Sequence, residues 1–140
     1  MKSYLIVANK TLAEPRLLDE VTARASAEPS RFHVVVPATP GPHGAHNWTE
    51  GQAHKQAQER LDQLLARFRA AGIEVTGEIG DENPLLAVGD CFQHEQYDLV
   101  IVSTLPSGKS KWLKLDLPHR VASRFHVPVA HVVASEPAIP

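Results

Sequence analysis

The chain has 140 residues, 43% of them hydrophobic and 21% charged, with a formal net charge of −2 at pH 7. That is the size of one domain and the composition of a globular chain rather than a disordered or fibrous one. It excludes bulk attraction to nucleic acid or to an anionic membrane, and no apolar run approaches the ~20 residues of a membrane-spanning helix.

The N-terminus, Met1-Lys2-Ser3-Tyr4-Leu5-Ile6-Val7, moves straight into an apolar strand pattern and is not expected to be a signal peptide. The run Tyr4 to Ala8 is too continuous for a half-exposed strand and reads as the first strand of a sheet covered on both faces. Leu12, Leu17, Leu18, Val21 and Ala25 follow at helical spacing, with Thr11 as a cap and Pro15 near the start. Phe32 to Val36 is the second strand, ended by Pro37, and residues 37–51 form a Pro/Gly/His-rich loop without periodicity. From Gln52 to Ala71, residues Ala53, Ala57, Leu61, Leu64, Leu65 and Phe68 share one helix face. Gly72 stands where a left-handed C-terminal cap belongs.

Ile73 to Gly77 alternates as a third strand. Asn83-Pro84 supplies a cap and a first-turn proline for a helix carrying Leu85, Leu86, Val88, Cys91 and Phe92. Asp98 to Val102 is the fourth strand. Asp116 is expected to cap a short helix on which Leu117, Val121 and Phe125 stack at intervals of four. Val127 to Val133 is the fifth strand. Alternating strands and helices predict one α/β domain over residues 1–134, a five-stranded parallel sheet with helices on both faces, then a frayed tail over 135–140. Ligands of such sheets sit beyond the carboxyl ends of the strands, which brings together the loops after the first, second and fourth strands.

The loop after the fourth strand contains Ser107-Gly108-Lys109-Ser110, the closing residues of a phosphate-binding P-loop. Three features oppose a true P-loop. Lys111 to Asp116 separate the motif from the next helix, Pro106 removes a backbone N–H from the phosphate cradle, and only one strand remains downstream to supply a magnesium-holding acid.

Three segments carry a resemblance that spans nearly the whole chain: "GEIGDENPLLAVGD" at 77–90, "YDLVIVSTLPSGKSKWLKLDLPHRV" at 97–121, and "HVPVAHVV" at 126–133. Together with the strand order, they resemble the universal stress protein family, five-stranded parallel α/β domains that often dimerise and many of which bind ATP. The resemblance implies a glycine-rich motif after the fourth strand whose positions fall on Ser103, Pro106, Asp116 and Leu117, all of which depart from the pattern. Ser103 adds a Cβ and a hydroxyl, Pro106 removes a donor, Leu117 removes a hydroxyl, and Asp116 sets a carboxylate against a polyphosphate unless a cation intervenes.

Compensation comes from Lys109, Lys111, Lys114, His119 and Arg120, the Ser107-Gly108 turn and the Ser110 hydroxyl. After the first strand, the family's base-binding acid is replaced by Asn9-Lys10. Asn9 can hydrogen-bond a base or ribose and Lys10 can reach a phosphate; alternatively Asn9 only turns the chain and the lysines form a solvated rim. The candidate binding set is therefore Asn9, Lys10, Ser103, Thr104, Ser107, Gly108, Lys109 and Ser110. Its expected ligand is ATP, another adenine nucleotide or a small anion, with magnesium accompanying a triphosphate.

The remaining chemistry-bearing residues form no convincing site in the sequence. His43 and His46, with His54 beyond them, offer loose metal affinity, but His43 and His46 sit in a loop of unfixed geometry, and no dedicated metal site is expected. His33 and His131 read as core or edge residues, His119 and His126 lie beside the basic loop, and Glu74, Glu78, Asp81 and Glu82 present no catalytic pair. Cys91 reads as an inert packing thiol that suits a cytoplasmic protein, and Trp112 as a lid on the last helix. No Ser-His-Asp arrangement or Gly-x-Ser-x-Gly motif appears, so no catalytic residue is assigned. The apolar fifth strand at the sheet edge predicts a homodimer through Val127 to Val133. The expected role is non-enzymatic binding or regulation in a stress response. The alternatives are a dimeric protein-interaction module that has lost nucleotide binding, working through a protein partner, and a weak ATPase.

Overall fold

The protein is described by a computed structural model covering residues 1–8, 15–38, 50–104, 112 and 116–134. Its elements run β1 (Lys2–Val7), α1 (Pro15–Ala27), β2 (Ser30–Pro37), α2 (Glu50–Ala70), β3 (Val75–Gly80), α3 (Pro84–His94), β4 (Leu99–Thr104), α4 (Leu117–Phe125) and β5 (Val129–Val133). All strands pair in parallel in the order β3-β2-β1-β4-β5, which is the α/β architecture expected from the alternating pattern. The expected cap at Thr11, the 39–49 part of the histidine-bearing loop and the tail from Ser135 lie outside the described residues.

The inner strands β1, β2 and β4 carry continuous apolar runs because both their faces are covered. Tyr4 and Ile6 of β1, Phe32, Val34 and Val36 of β2 and Ile101 of β4 pack with Leu17, Val21, Ala57, Leu61, Leu64 and Phe68 from α1 and α2. The intervening residues Leu5, Val7, Val35, Val100 and Val102 point the other way, onto Ala87, Val88, Cys91, Leu117 and Val121 of α3 and α4. Each buried Val, Leu, Ile or Phe among them contributes about 1.5–3 kcal/mol relative to exposure. Trp112 packs against this second cluster, the cluster that includes the α4 residues it was expected to cover.

Several boundaries differ from expectation: β3 runs on to Gly80 rather than ending at Gly77, and β5 starts at Val129 rather than Val127. β3 begins at Val75, two residues late, because the chain leaving α2 is still closing that helix. Gly72, at φ 79°, donates its N–H to Arg69 O, and Ile73 donates to Phe68 O at 3.0 Å. This is the paired bonding of a Schellman ending, so the Ile73 N–H has no part in the sheet although its side chain is buried.

On α3 the buried stripe is Pro84, Ala87, Val88 and Cys91, and Leu86, expected on the apolar face, is 50% exposed. The small residues set this rotation. A Cβ on Gly80 would lie 2.7 Å from Val35 Cγ2 and 2.8 Å from Ala87 Cβ, so α3 rests on the sheet where neither surface has bulk. Asn83 caps α3 as expected, its Oδ1 accepting from Leu85 N at 3.0 Å and Leu86 N at 3.4 Å.

Candidate functional site at the carboxyl ends of the strands

β1 is central, with β2 paired on one side and β4 on the other. Chain connections therefore diverge from β1: through α1 to β2 in one direction, and back across to β4 after β3. The carboxyl ends of β1 and β4 flank this switch point, the place where an open parallel sheet leaves a crevice between diverging loops. Buried Ala8 follows the end of β1, and buried Ser103 and Thr104 end β4.

The carboxyl ends of the strands are held by backbone hydrogen bonds. Ala8 N donates to Val35 O at 3.5 Å, Ala38 N to Gly80 O at 3.2 Å and Ala134 N to Thr104 O at 2.8 Å. Ser103 and Thr104 are buried, and Thr104 Oγ1 lies 2.7 Å from His131 Nε2 on β5. Of the candidate binding residues, Ser103 and Thr104 thus stand at the switch point, Thr104 committed to an edge histidine. Asn9, Lys10, Ser107, Gly108, Lys109 and Ser110 lie outside the described residues.

Asp116 occupies the N-cap position of α4 but does not cap it. Its backbone is left-handed, at φ 55° and ψ 44°, and its side chain makes no cap hydrogen bond. Side-chain capping needs the extended backbone usual at an N-cap, so the sequence-based expectation fails on conformation rather than on residue type. The carboxylate instead lies 3.8 Å from His119 Nδ1, both side chains being largely exposed. Asp116 is also the position that the family resemblance assigns to glycine, the residue for which a left-handed backbone carries no steric cost.

Arg16 was not picked out by sequence reasoning. It sits in the first turn of α1, and its Nη1 donates to Val133 O at the end of β5 over 3.3 Å. It lines a shallow groove of about 440 Å³ between α1 and β5, together with Asp19, Glu20 and His131. A second groove of about 480 Å³ lies on the opposite side of β5, walled by His119, Ser123 and Val129. His131 borders both; the residue as a whole is exposed, but partial desolvation of its ring lowers its pKa from the ordinary histidine value. A lone arginine after a loop has no sequence signal that ties it to a strand end 117 residues away.

A second cluster lies at the other side of the sheet, away from this crevice. His33 of β2, Thr76 and Glu78 of β3 and Cys91 of α3 are joined by hydrogen bonds. Desolvation pushes the Glu78 carboxyl up, but bonds from His33 and Cys91 outweigh it and hold the group below its ordinary value. Desolvation and the Glu78 charge both push the Cys91 thiol up, which agrees with its reading as an inert thiol in the protein as it stands.

No family model matches the sequence, and no curated protein sequence matches it. Solved structures do. A universal stress protein family member from Burkholderia pseudomallei superposes with a TM-score of 0.65 at 13% identity, covering 94% of this chain and 95% of that one. The universal stress protein of Archaeoglobus fulgidus gives 0.66 at 14% identity, covering 94% and 93%. A universal stress protein in complex with cAMP gives 0.54 at 20% identity, covering 96% and 98%. The fold of this chain is that of the universal stress proteins, a single α/β domain on a five-stranded parallel sheet.

Proposed function

We propose that the protein is a non-enzymatic binding and regulatory module that takes an adenine nucleotide, or another small anion, at the carboxyl ends of β1 and β4. The observation that carries this reading is the placement of Ser103 and Thr104 at the switch point of the sheet, within a fold shared with a protein solved in complex with cAMP. In sequence, Asn9 and Lys10 follow β1, and Ser107, Gly108, Lys109 and Ser110 follow β4, and the proposed site takes its ligand contacts from these two segments. Asn9 would meet the base or ribose; Lys10 and Lys109 would meet phosphate. The exposed Asp116 carboxylate at the start of α4 opposes a naked triphosphate, so ATP would bind with magnesium, and a singly charged nucleotide would bind without it.

Native mass spectrometry of freshly purified protein, followed by calorimetric titration with cAMP and with ATP in the presence and absence of magnesium, tests this reading. The expected result is a co-purifying adenine nucleotide or binding tighter than roughly 100 μM, about −5.5 kcal/mol. Lys109→Ala should weaken it about tenfold, and no phosphate should be released over hours. Phosphate release abolished by Lys109→Ala would make the protein a weak ATPase. An empty protein that gives no heat with any nucleotide would leave a protein-interaction module.

The proposal extends to a homodimer through Val127 to Val133. β5 is an edge strand whose residues Val129, Ala130, Val132 and Val133 are half-buried and whose His131 is exposed, with a groove on either side. A disulfide-free chain with one buried cysteine suits the cytoplasm.

A further inference from the structure

Among the described residues, His33, Glu78 and Cys91 place a ring nitrogen, a carboxylate oxygen and a sulfur all within 4.8 Å of one another. The sequence separates them by 45 and 13 residues, and the fold brings them together. His33 pairs with Thr76 in the β2–β3 register, Glu78 lies two residues further on the same face, and Cys91 reaches down from α3. We infer that these three side chains form a binding site for a borderline divalent cation of the zinc type, at the β3 edge of the sheet and separate from the crevice between β1 and β4.

Geometry supports the assignment first. Four-coordinate zinc holds its ligands at about 2.0–2.3 Å, which places neighbouring donor atoms about 3.3–3.8 Å apart. Glu78 Oε1 lies 3.0 Å from His33 Nε2 and 3.2 Å from Cys91 Sγ. Binding requires these two gaps to open by a few tenths of an ångström and the His33–Cys91 separation, which is within 4.8 Å, to settle to the same tetrahedral edge. Three protein donors leave a fourth position for water or a further ligand.

The second support is the outer partner of the imidazole. Metal-binding histidines are oriented by a hydrogen bond on the ring nitrogen that does not face the metal. Here Thr76 Oγ1 lies 2.7 Å from His33 Nδ1. A carboxylate only accepts, so Nε2 of the neutral ring donates to Glu78 and Nδ1 accepts from the Thr76 hydroxyl. When the ion binds, the ring proton moves to Nδ1 and is donated to the same hydroxyl, which serves equally as acceptor. Nε2 is then left with its lone pair on the metal. Tyr97 stacks on His33 at 6.5 Å between centroids and restrains the ring.

Charge and access complete the case. Glu78 is already a carboxylate, and Cys91 would release its thiol proton to solvent as the metal–sulfur bond forms. A dication with one carboxylate, one thiolate and a neutral imidazole sums to zero, so the bound state buries no net charge. The Glu78 side chain is 49% exposed and that of His33 20%, so a hydrated ion reaches the cluster from solvent while Cys91 forms its buried wall. The N, O, S donor set favours zinc or cobalt and disfavours magnesium and calcium, which take oxygen ligands. Once bound, the ion would cross-link β2, β3 and α3.

The test uses the full chain, treated with a chelator and titrated with Co²⁺ and then Zn²⁺. The expected result is one equivalent of Co²⁺ per chain with a thiolate-to-cobalt charge-transfer band in the near ultraviolet, displaced by Zn²⁺ and not by Mg²⁺. Cys91→Ser should remove the band and weaken Zn²⁺ binding at least tenfold, and His33→Gln should weaken it comparably. The double variant His43→Gln/His46→Gln should leave both unchanged. A wild-type protein without the thiolate band overturns the proposal, whatever the variants do. So does Zn²⁺ binding undiminished in Cys91→Ser, or lost in the His43/His46 variant.

Discussion

Asp116 holds φ 55° at the start of α4, a left-handed conformation that costs a residue with a Cβ about 1–2 kcal/mol. Glycine removes that cost but loses about 0.5–1 kcal/mol to backbone entropy. Asp116→Gly should therefore stabilise the protein by up to about 1 kcal/mol, measured as a higher denaturation midpoint in urea. The sequence marked this position through its family resemblance, yet read the side chain as a cap, because residue type is legible in a sequence and φ is not. His131 offers a second check at this scale. Partial desolvation lowers its pKa below the ordinary 6.5, so the unfolded chain takes up a proton before the folded one does. Stability from the neutral ring is fully present above pH 6.5 and declines as pH falls toward the lower folded value. His131→Gln should flatten the wild-type loss of stability between pH 7 and pH 5, read from denaturation midpoints across that range.

At the scale of elements, helix faces and caps were largely legible and contact points were not. The periodicity of Ala57, Leu61, Leu64 and Phe68 located the buried face of α2, and Asn83-Pro84 located the start of α3, because both signals are local. The rotation of α3 depends on a partner. Ala87 and Gly80 meet across the layers, and this turns Leu86 outward. Gly80→Ala would press a methyl group against Val35 and Ala87 and should destabilise the protein by about 1–3 kcal/mol, measured by chemical denaturation. A Gly89→Ala control, whose new Cβ meets only the Phe125 ring at 3.5 Å, should lack that overpacking cost. The same dependence hid the cluster of His33, Glu78 and Cys91. Each residue looked ordinary in its own element, and only the β2–β3 register and the seat of α3 join them.

For the whole molecule, the open question is what covers β5. An edge strand presents unpaired backbone groups, and a second copy of the same edge is the simplest cover with closed symmetry. Val132→Lys should disfavour such pairing by adding charge to the edge. Light scattering should then report a wild-type dimer and a monomeric variant that retains its far-ultraviolet dichroism. A wild-type monomer at the concentrations used would remove the dimer from the reading. The sequence by itself determined the alternation of strands and helices and the covered parallel sheet, because apolar periodicity and turn chemistry act over a few residues. Only the tertiary structure decided that β1 and β4 flank the switch point, that Thr104 is tied to His131, and that three distant side chains converge beside β3. Those facts rest on strand register and layer packing, which arise between segments and leave no trace within any one of them.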